Sequence, residues 1–178
     1  MAEAPSRVVL VGFMGVGKSA VGRALARRLG YRFEDMDRRI EHRTGRSIAA
    51  IFEERGEEAF RQEEAHEAAT LAKTRNCVVA AGGGAFARTD TREALSAGAL
   101  TVWLRCDLET LLGRIRDDGT RPMAGNRDIM RALLAEREPS YRLADLTVDV
   151  SLGTPAEVAD RISDLIERRI VGGRRRER

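Results

Sequence analysis

Three features of the sequence predict an α/β fold built on a largely parallel sheet. Short apolar runs alternate with helical patterns along the whole chain. The first apolar run, Val8-Val9-Leu10-Val11, leads into Gly12-Phe13-Met14-Gly15-Val16-Gly17-Lys18-Ser19 and then into a helical pattern over 20–29. A buried strand, a glycine-rich turn and a helix start are the context that the phosphate-loop pattern G-x-x-x-x-G-K-[ST] requires. Finally, 178 residues with 43% apolar content suit one domain with a substantial core.

The remaining elements follow in order. Gly30 is placed to cap the first helix. Residues 31–34 read as a short strand ending at Asp35-Met36-Asp37, and 38–43 as a short helix stopped by Thr44-Gly45. Ser47 suits an N-cap for a helix over 48–55 that Gly56 ends, and a longer helix rich in Glu and Ala follows over 57–73. Residues 78–81 form a third buried strand that runs into Gly82-Gly83-Gly84. Helices are predicted over 91–97 and 108–116, flanking a fourth strand at 100–104. The polar stretch 117–127, punctuated by Gly119, Pro122 and Gly125, reads as a mobile loop. A helix over 128–138 is then interrupted by Pro139, 146–150 is a fifth strand, and 155–169 a closing amphipathic helix. No repeat or low-complexity linker divides the chain, so 1–178 reads as a single domain with flexible tails at 1–6 and 171–178.

Composition excludes several function classes. The net charge of +3 is mild, and much of it lies in the arginines from Arg168 to Arg178, which read as a solvated terminus and not as a nucleic-acid surface. No apolar run approaches membrane length and no secretory leader follows Met1, so neither a membrane nor export is expected. Cys77 and Cys106 adjoin apolar runs and read as reduced, partly buried thiols of a cytoplasmic protein. The chain carries only two lysines, and one of them is Lys18 in the phosphate loop.

The chemistry-bearing residues follow from anion capture. Glycines in the loop let backbone N–H groups converge on phosphate oxygens, and the helix start adds partial positive charge. Lys18 can reach the β- and γ-phosphates and the Ser19 hydroxyl can ligate Mg²⁺, so a nucleoside triphosphate is the expected ligand. Asp35 and Asp37 lie two apart at a strand end, where both carboxylates can project one way, one toward a metal and one toward an alcohol. Capping of the following helix is the alternative for either. Arg61 and Glu64 share a helix face, as a site pair or a surface ion pair. Gly82-Gly83-Gly84 suggests a ligand lying against bare backbone. Arg121, before Pro122, could serve as an arginine finger supplied in cis. Arg137 near a helix end could equally be a dipole partner.

Taken together, the phosphate loop, Asp35-Met36-Asp37, Arg61 with Glu64, Ala80 to Ala85, Arg121-Pro122 and Arg137 before Pro139 resemble the shikimate kinase family of P-loop enzymes, from about Arg7 to Ile166. Thr44-Gly45-Arg46-Ser47-Ile48, with Ile51-Phe52 and Gly56, adds to the likeness. The resemblance implies a three-layer α/β/α sandwich with a five-stranded parallel sheet of order 2-3-1-4-5, a substrate-binding segment at about 34–62 and a lid at about 114–127. It implies ATP-dependent phosphorylation of the 3-hydroxyl of shikimate, with Mg²⁺. Gly12, Gly15, Val16, Gly17, Lys18, Ser19 and Ala20 would hold the ATP phosphates, and Arg114 and Pro155 the adenine. Lys18 and Arg121 would steady the transferring phosphoryl group, and Ser19 and, through water, Asp35 would hold the metal. Asp37 would orient or deprotonate the attacking hydroxyl, Arg61 and Arg137 would grip the carboxylate, and Gly82, Gly83 and Gly84 would contact the substrate by backbone. Glu64 would hold Arg61. A monomer is implied.

The sequence departs from the family's habit at Met123, Gly153 and Ala68, which touch packing and adenine contacts and not the chemistry. A kinase of another polyol acid, such as gluconate, would share the loop but not the combination of Asp37, Arg61 and the triple glycine. A regulatory GTPase would need Asp-x-x-Gly and Asn-Lys-x-Asp, and neither occurs.

Overall fold

A computed structural model describes residues 4–114 and 127–176. Five parallel strands, β1 (Arg7–Val11), β2 (Arg32–Asp35), β3 (Cys77–Ala80), β4 (Leu100–Arg105) and β5 (Leu146–Asp149), form one sheet in the order β2-β3-β1-β4-β5. This is the order the resemblance implies. Val9 stands between Val79 of β3 and Thr101 of β4. Strands β1 and β3 are buried along their lengths and β4 up to Arg105, which is why they read as apolar runs, while at the edges β2 has no buried residue and β5 buries only Val148.

Helices connect the strands and cover the sheet: α1 (Lys18–Leu29), α2 (Met36–Thr44), α3 (Ile48–Leu71), α4 (Thr89–Ser96), α5 (Leu108–Arg114), α6 (Arg127–Tyr141) and α7 (Pro155–Arg176). Helix α1 packs on β2, β3 and α7, and α3 lies between α2 and α4. Neither cysteine is in a disulfide, and both are buried where partial burial is expected from the sequence.

Local chemistry explains the boundaries. Gly30 and Gly45 terminate α1 and α2 in the left-handed conformation. The Ser47 hydroxyl accepts from the Ala50 N–H at 3.1 Å to start α3. Gly56, at φ 81° and ψ 174°, kinks α3 where the sequence places a stop between two helices, so they join end to end around one non-helical residue.

Several expectations need correction. Helix α6 runs through Pro139 to Tyr141. Proline forfeits one bond, to the carbonyl of Ala135, but that residue is exposed to water, and the Arg142 N–H closes the next turn on Glu138 O at 3.0 Å. Helix α7 continues beyond residue 169 to Arg176. The strand β1 starts one residue early, at Arg7, whose buried guanidinium donates to the carbonyls of Leu71, Ala72, Thr74 and Ala97 and ties the ends of α3 and α4 to the sheet. Asp35 and Asp37 do not share a strand face, because α2 begins at Met36. The greater part of the expected lid, including Arg121, Pro122 and Met123, lies outside the described residues.

Candidate active site

The phosphate loop joins β1 to α1 through Gly12, Gly15 and Gly17 at φ 142°, 76° and 98°. Gly17 stands immediately before α1, so the first N–H groups of the helix, which have no carbonyl one turn back to bond within it, lie at the loop. A Cβ at Gly12 would stand 2.6 Å from the Leu104 carbonyl oxygen, so the loop needs glycine there for space as well as for φ. Lys18 Nζ donates to its own loop at Gly12 O (2.8 Å) and Phe13 O (2.9 Å), which holds the ammonium over the loop.

Two oxygen donors meet beside that helix start. The Ser19 hydroxyl donates to Asp35 Oδ2 at 2.6 Å, while Asp35 Oδ1 accepts from the Arg38 N–H at 3.4 Å. The capping reading of Asp35 is therefore realised, and its other oxygen stands beside the phosphate loop at Ser19. A hydroxyl and a carboxylate, with no nitrogen or sulfur donor, suit a hard, oxygen-seeking ion such as Mg²⁺.

The second half of the site is assembled around the triple glycine after β3. A Cβ at Gly82 would lie 2.6 Å from Glu64 Oε1 and 3.0 Å from Asp37 Oδ1. One at Gly84 would lie 2.6 Å from Arg61 Nη1 and 3.2 Å from Arg137 Nη2. At Gly83 the nearest groups would be the Met14 N–H at 3.4 Å and Arg137 Nη1 at 3.7 Å. The glycines are thus the floor on which α2, α3, α6 and the phosphate loop converge, and a side chain at Gly82 or Gly84 would displace the groups above it, while a methyl at Gly83 would make ordinary contacts.

Arg61 and Glu64 are paired at this floor and largely buried. Arg61 Nη1 donates to Glu64 Oε2 at 2.6 Å, and Arg61 Nε and Nη2 reach the exposed Glu57 at 3.2 and 2.8 Å. Glu64 is only 1% exposed, so Arg61 with Glu64 is no solvated surface pair. Burial pushes the Glu64 carboxyl up, the Arg61 guanidinium pulls it back down, and the charge of Asp37 adds a smaller push upward. Burial works against the charge of Arg61, but Glu64 and Glu57 together hold it above its ordinary value. Both guanidiniums also lie against aromatic faces, Arg61 5.4 Å from the Phe60 ring and Arg137 5.9 Å from the Phe13 ring.

Sequence reasoning missed some of these groups. Phe60, stacked at 4.7 Å on the half-exposed Phe52, walls one side, and Phe13 links the phosphate loop to Arg137. Tyr141, fully buried at the end of α6, donates its hydroxyl to Gly83 O. The spacing of Arg137 and Tyr141, one helical turn, was the signal available, and it is hidden if Pro139 is taken to end the helix.

Across the phosphate loop, Gly15, Val16, Gly17, Val150, Gly153 and Pro155 help line a largely apolar cavity of about 220 Å³. Pro155 therefore lies beside the loop, and Arg114 ends α5. A larger cleft of about 520 Å³ opens near β2 and is lined by Asp35 with Arg39, Arg43 and Glu67, whose mutual ion pairs occupy it. Asp35 alone of the predicted site residues borders it.

Comparison with known proteins agrees with this geometry. A family profile described as shikimate kinase matches residues 14–167. A shikimate kinase of Cereibacter sphaeroides is 41% identical over 172 residues, covering 95% of this chain and 86% of the relative. One of Symbiobacterium thermophilum is 48% identical over 142 residues, 77% of this chain and 82% of that one. Among solved structures, shikimate kinase from Acinetobacter baumannii in complex with shikimate superposes with a TM-score of 0.90 at 37% identity, covering 94% of this chain and 96% of that one.

Proposed function

The chain belongs to the shikimate kinase family and phosphorylates shikimate with ATP, and from that premise we propose that the 3-hydroxyl is the acceptor and that the described residues divide the work as follows. The observation that supports this division is the convergence of two guanidiniums and two carboxylates on a floor without side chains, next to the phosphate loop. Arg61 and Arg137 offer planar forks to a carboxylate. Asp37, reaching toward Gly82, orients a ring hydroxyl and accepts its proton as the oxygen attacks the γ-phosphorus. The bond from that phosphorus to the bridging β,γ-oxygen breaks, and ADP leaves with the electron pair. Lys18 exchanges the loop carbonyls for the phosphate oxygens and draws charge from them as the bond breaks.

Ser19 directly, and Asp35 through water, would hold Mg²⁺, which when bound neutralises phosphate charge. Gly12 to Ala20 bind the triphosphate by backbone, the cavity beside Pro155 takes the adenine, and Arg114 keeps the adenine-clamping role that the resemblance gives it. Arg121, outside the described residues, keeps the role of stabilising the transferring group that the resemblance gives it. We take the working unit to be a cytoplasmic monomer that needs neither nucleic acid nor membrane; among the described residues no helix is long and apolar enough to cross one.

ADP release with ATP and Mg²⁺ tests the reading, with shikimate present, absent or replaced by gluconate. Release should require shikimate, fall roughly 10²-fold or more in kcat for Asp37→Asn, and lose saturation by shikimate in Arg61→Ala. Turnover indifferent to shikimate would overturn the acceptor assignment, and an unaffected Asp37→Asn would overturn the role of that carboxylate.

A further inference from the structure

Every carbonyl of the triple glycine has a partner, and the partners differ in kind. Gly82 O and Gly84 O accept from the N–H groups of Ala85 and Ala87, at 3.1 Å each, and so close the short turn that follows. Gly83 O takes no part in that turn and accepts instead from the Tyr141 hydroxyl. That bond spans from the loop after β3 to the last residue of α6.

Its consequence follows from the planarity of the peptide. The C=O of Gly83 and the N–H of Gly84 belong to one trans unit and point in opposite directions. Glycine leaves that unit free to rotate, since no Cβ restricts it. A hydroxyl that fixes the carbonyl therefore fixes the direction of the Gly84 N–H as well. A Cβ on Gly84 would stand 2.6 Å from Arg61 Nη1 and 3.2 Å from Arg137 Nη2, so this N–H belongs to the residue that faces both guanidiniums. Tyr141 also sits one turn after Arg137 on α6, close enough for that guanidinium to act on the phenol through charge and an N–H.

The tyrosine is itself held firmly. It is fully buried, and its ring packs against Trp103 of β4 with centroids 6.1 Å apart. Burial raises its pKa to about 12, against the downward pull of Arg137, which keeps the proton the bond to Gly83 requires.

We propose that Tyr141 is a positioning residue for the acceptor's carboxylate: its hydroxyl sets the Gly83–Gly84 peptide and braces Arg137, so that the carboxylate meets a preformed set of donors. The proposal rests on the shikimate reading and adds to it a residue that touches neither substrate. A preformed grip acts on binding of the acceptor and not on the phosphoryl step.

The test is Tyr141→Phe, compared with the unaltered protein and with Trp103→Phe, which loosens the same ring but keeps the hydroxyl. Tyr141→Phe should raise the KM for shikimate roughly five- to twentyfold, with kcat and the KM for ATP changed by less than about twofold. The penalty should shrink when the acceptor is shikimate methyl ester, which lacks the charged carboxylate, measured at concentrations that saturate neither protein. Trp103→Phe should lower the melting temperature while leaving the shikimate KM near its normal value. An unchanged shikimate KM in Tyr141→Phe would overturn the proposal. So would a penalty as large on the ester, an equal rise in KM from Trp103→Phe, or a Tyr141→Phe chain that no longer folds, since each makes the residue a packing element only. If the unaltered protein ignores shikimate, the functional reading fails first, and that result is visible before any variant is made.

Discussion

The two halves of the site lie side by side but are built in opposite ways. The phosphate half is a property of one turn: consecutive residues from Gly12 to Ser19, with Lys18 held by carbonyls of its own loop. It is tied to a distant side chain through Ser19, which donates to Asp35. The acceptor half is a property of the packed core. Asp37 comes from α2, Arg61 and Glu64 from α3, the triple glycine from the turn after β3, and Arg137 and Tyr141 from α6, and Glu64 and Tyr141 are buried outright. Chemistry and stability should therefore come apart at the first half and travel together at the second.

The largest effect tests the first half. Lys18→Ala should lower kcat roughly 10²- to 10³-fold, the loss expected when a charge-stabilising donor is removed from the transferring group. Melting temperature and shikimate binding, read by calorimetry without nucleotide, should hardly move. A Lys18→Ala protein that had lost shikimate affinity would show that the halves are not separable.

A smaller effect is expected where packing is tight. In Gly84→Ala the new methyl would stand 2.6 Å from Arg61 Nη1, and that guanidinium cannot swing aside without leaving Glu64 buried without its ion pair. Shikimate KM should rise about tenfold or more and the melting temperature should fall with it. In Gly17→Ala nothing lies within 4 Å of the methyl, and the cost is confined to backbone strain at φ 98°, about 1–2 kcal/mol. Its damage should appear in the KM for ATP. If Gly84→Ala changed stability but not shikimate KM, the floor would be structural only.

The same contrast explains what could be read from the sequence. A contiguous motif carries its own geometry, so the phosphate loop is legible from residues alone, whereas the strand order comes only through the family resemblance. Helix boundaries set by Gly30, Gly45, Ser47 and Gly56 were legible too, because each residue acts through its own backbone or a neighbour's. Asp35 and Asp37 were placed on one strand face because a spacing of two is ambiguous until the helix start is known. Here capping by Asp35 ends the strand between them. The partners of Arg61 were ambiguous for another reason: spacing gives Glu64 as a neighbour but says nothing of its burial, which depends on the glycines after β3. Tyr141 was hidden by a local rule, proline as a helix stop, that an exposed last turn does not obey.

The smallest effects isolate burial itself, because Arg61 holds two carboxylates with similar bond lengths. Nη1 meets Glu64 at 2.6 Å and Nη2 meets Glu57 at 2.8 Å. The glutamate side chains are 1% and 67% exposed, so water screens one bond and not the other. Glu64→Gln should raise shikimate KM several-fold, since a neutral amide still donates and accepts but no longer fixes the guanidinium by charge. Glu57→Gln should change it by less than about twofold, the range of an exposed pair. Raising the salt concentration should weaken what remains of the Glu57 effect and leave the Glu64 effect in place. Equal effects from the two substitutions would mean that the length of the bond, and not the removal of water around it, governs the grip on the acceptor.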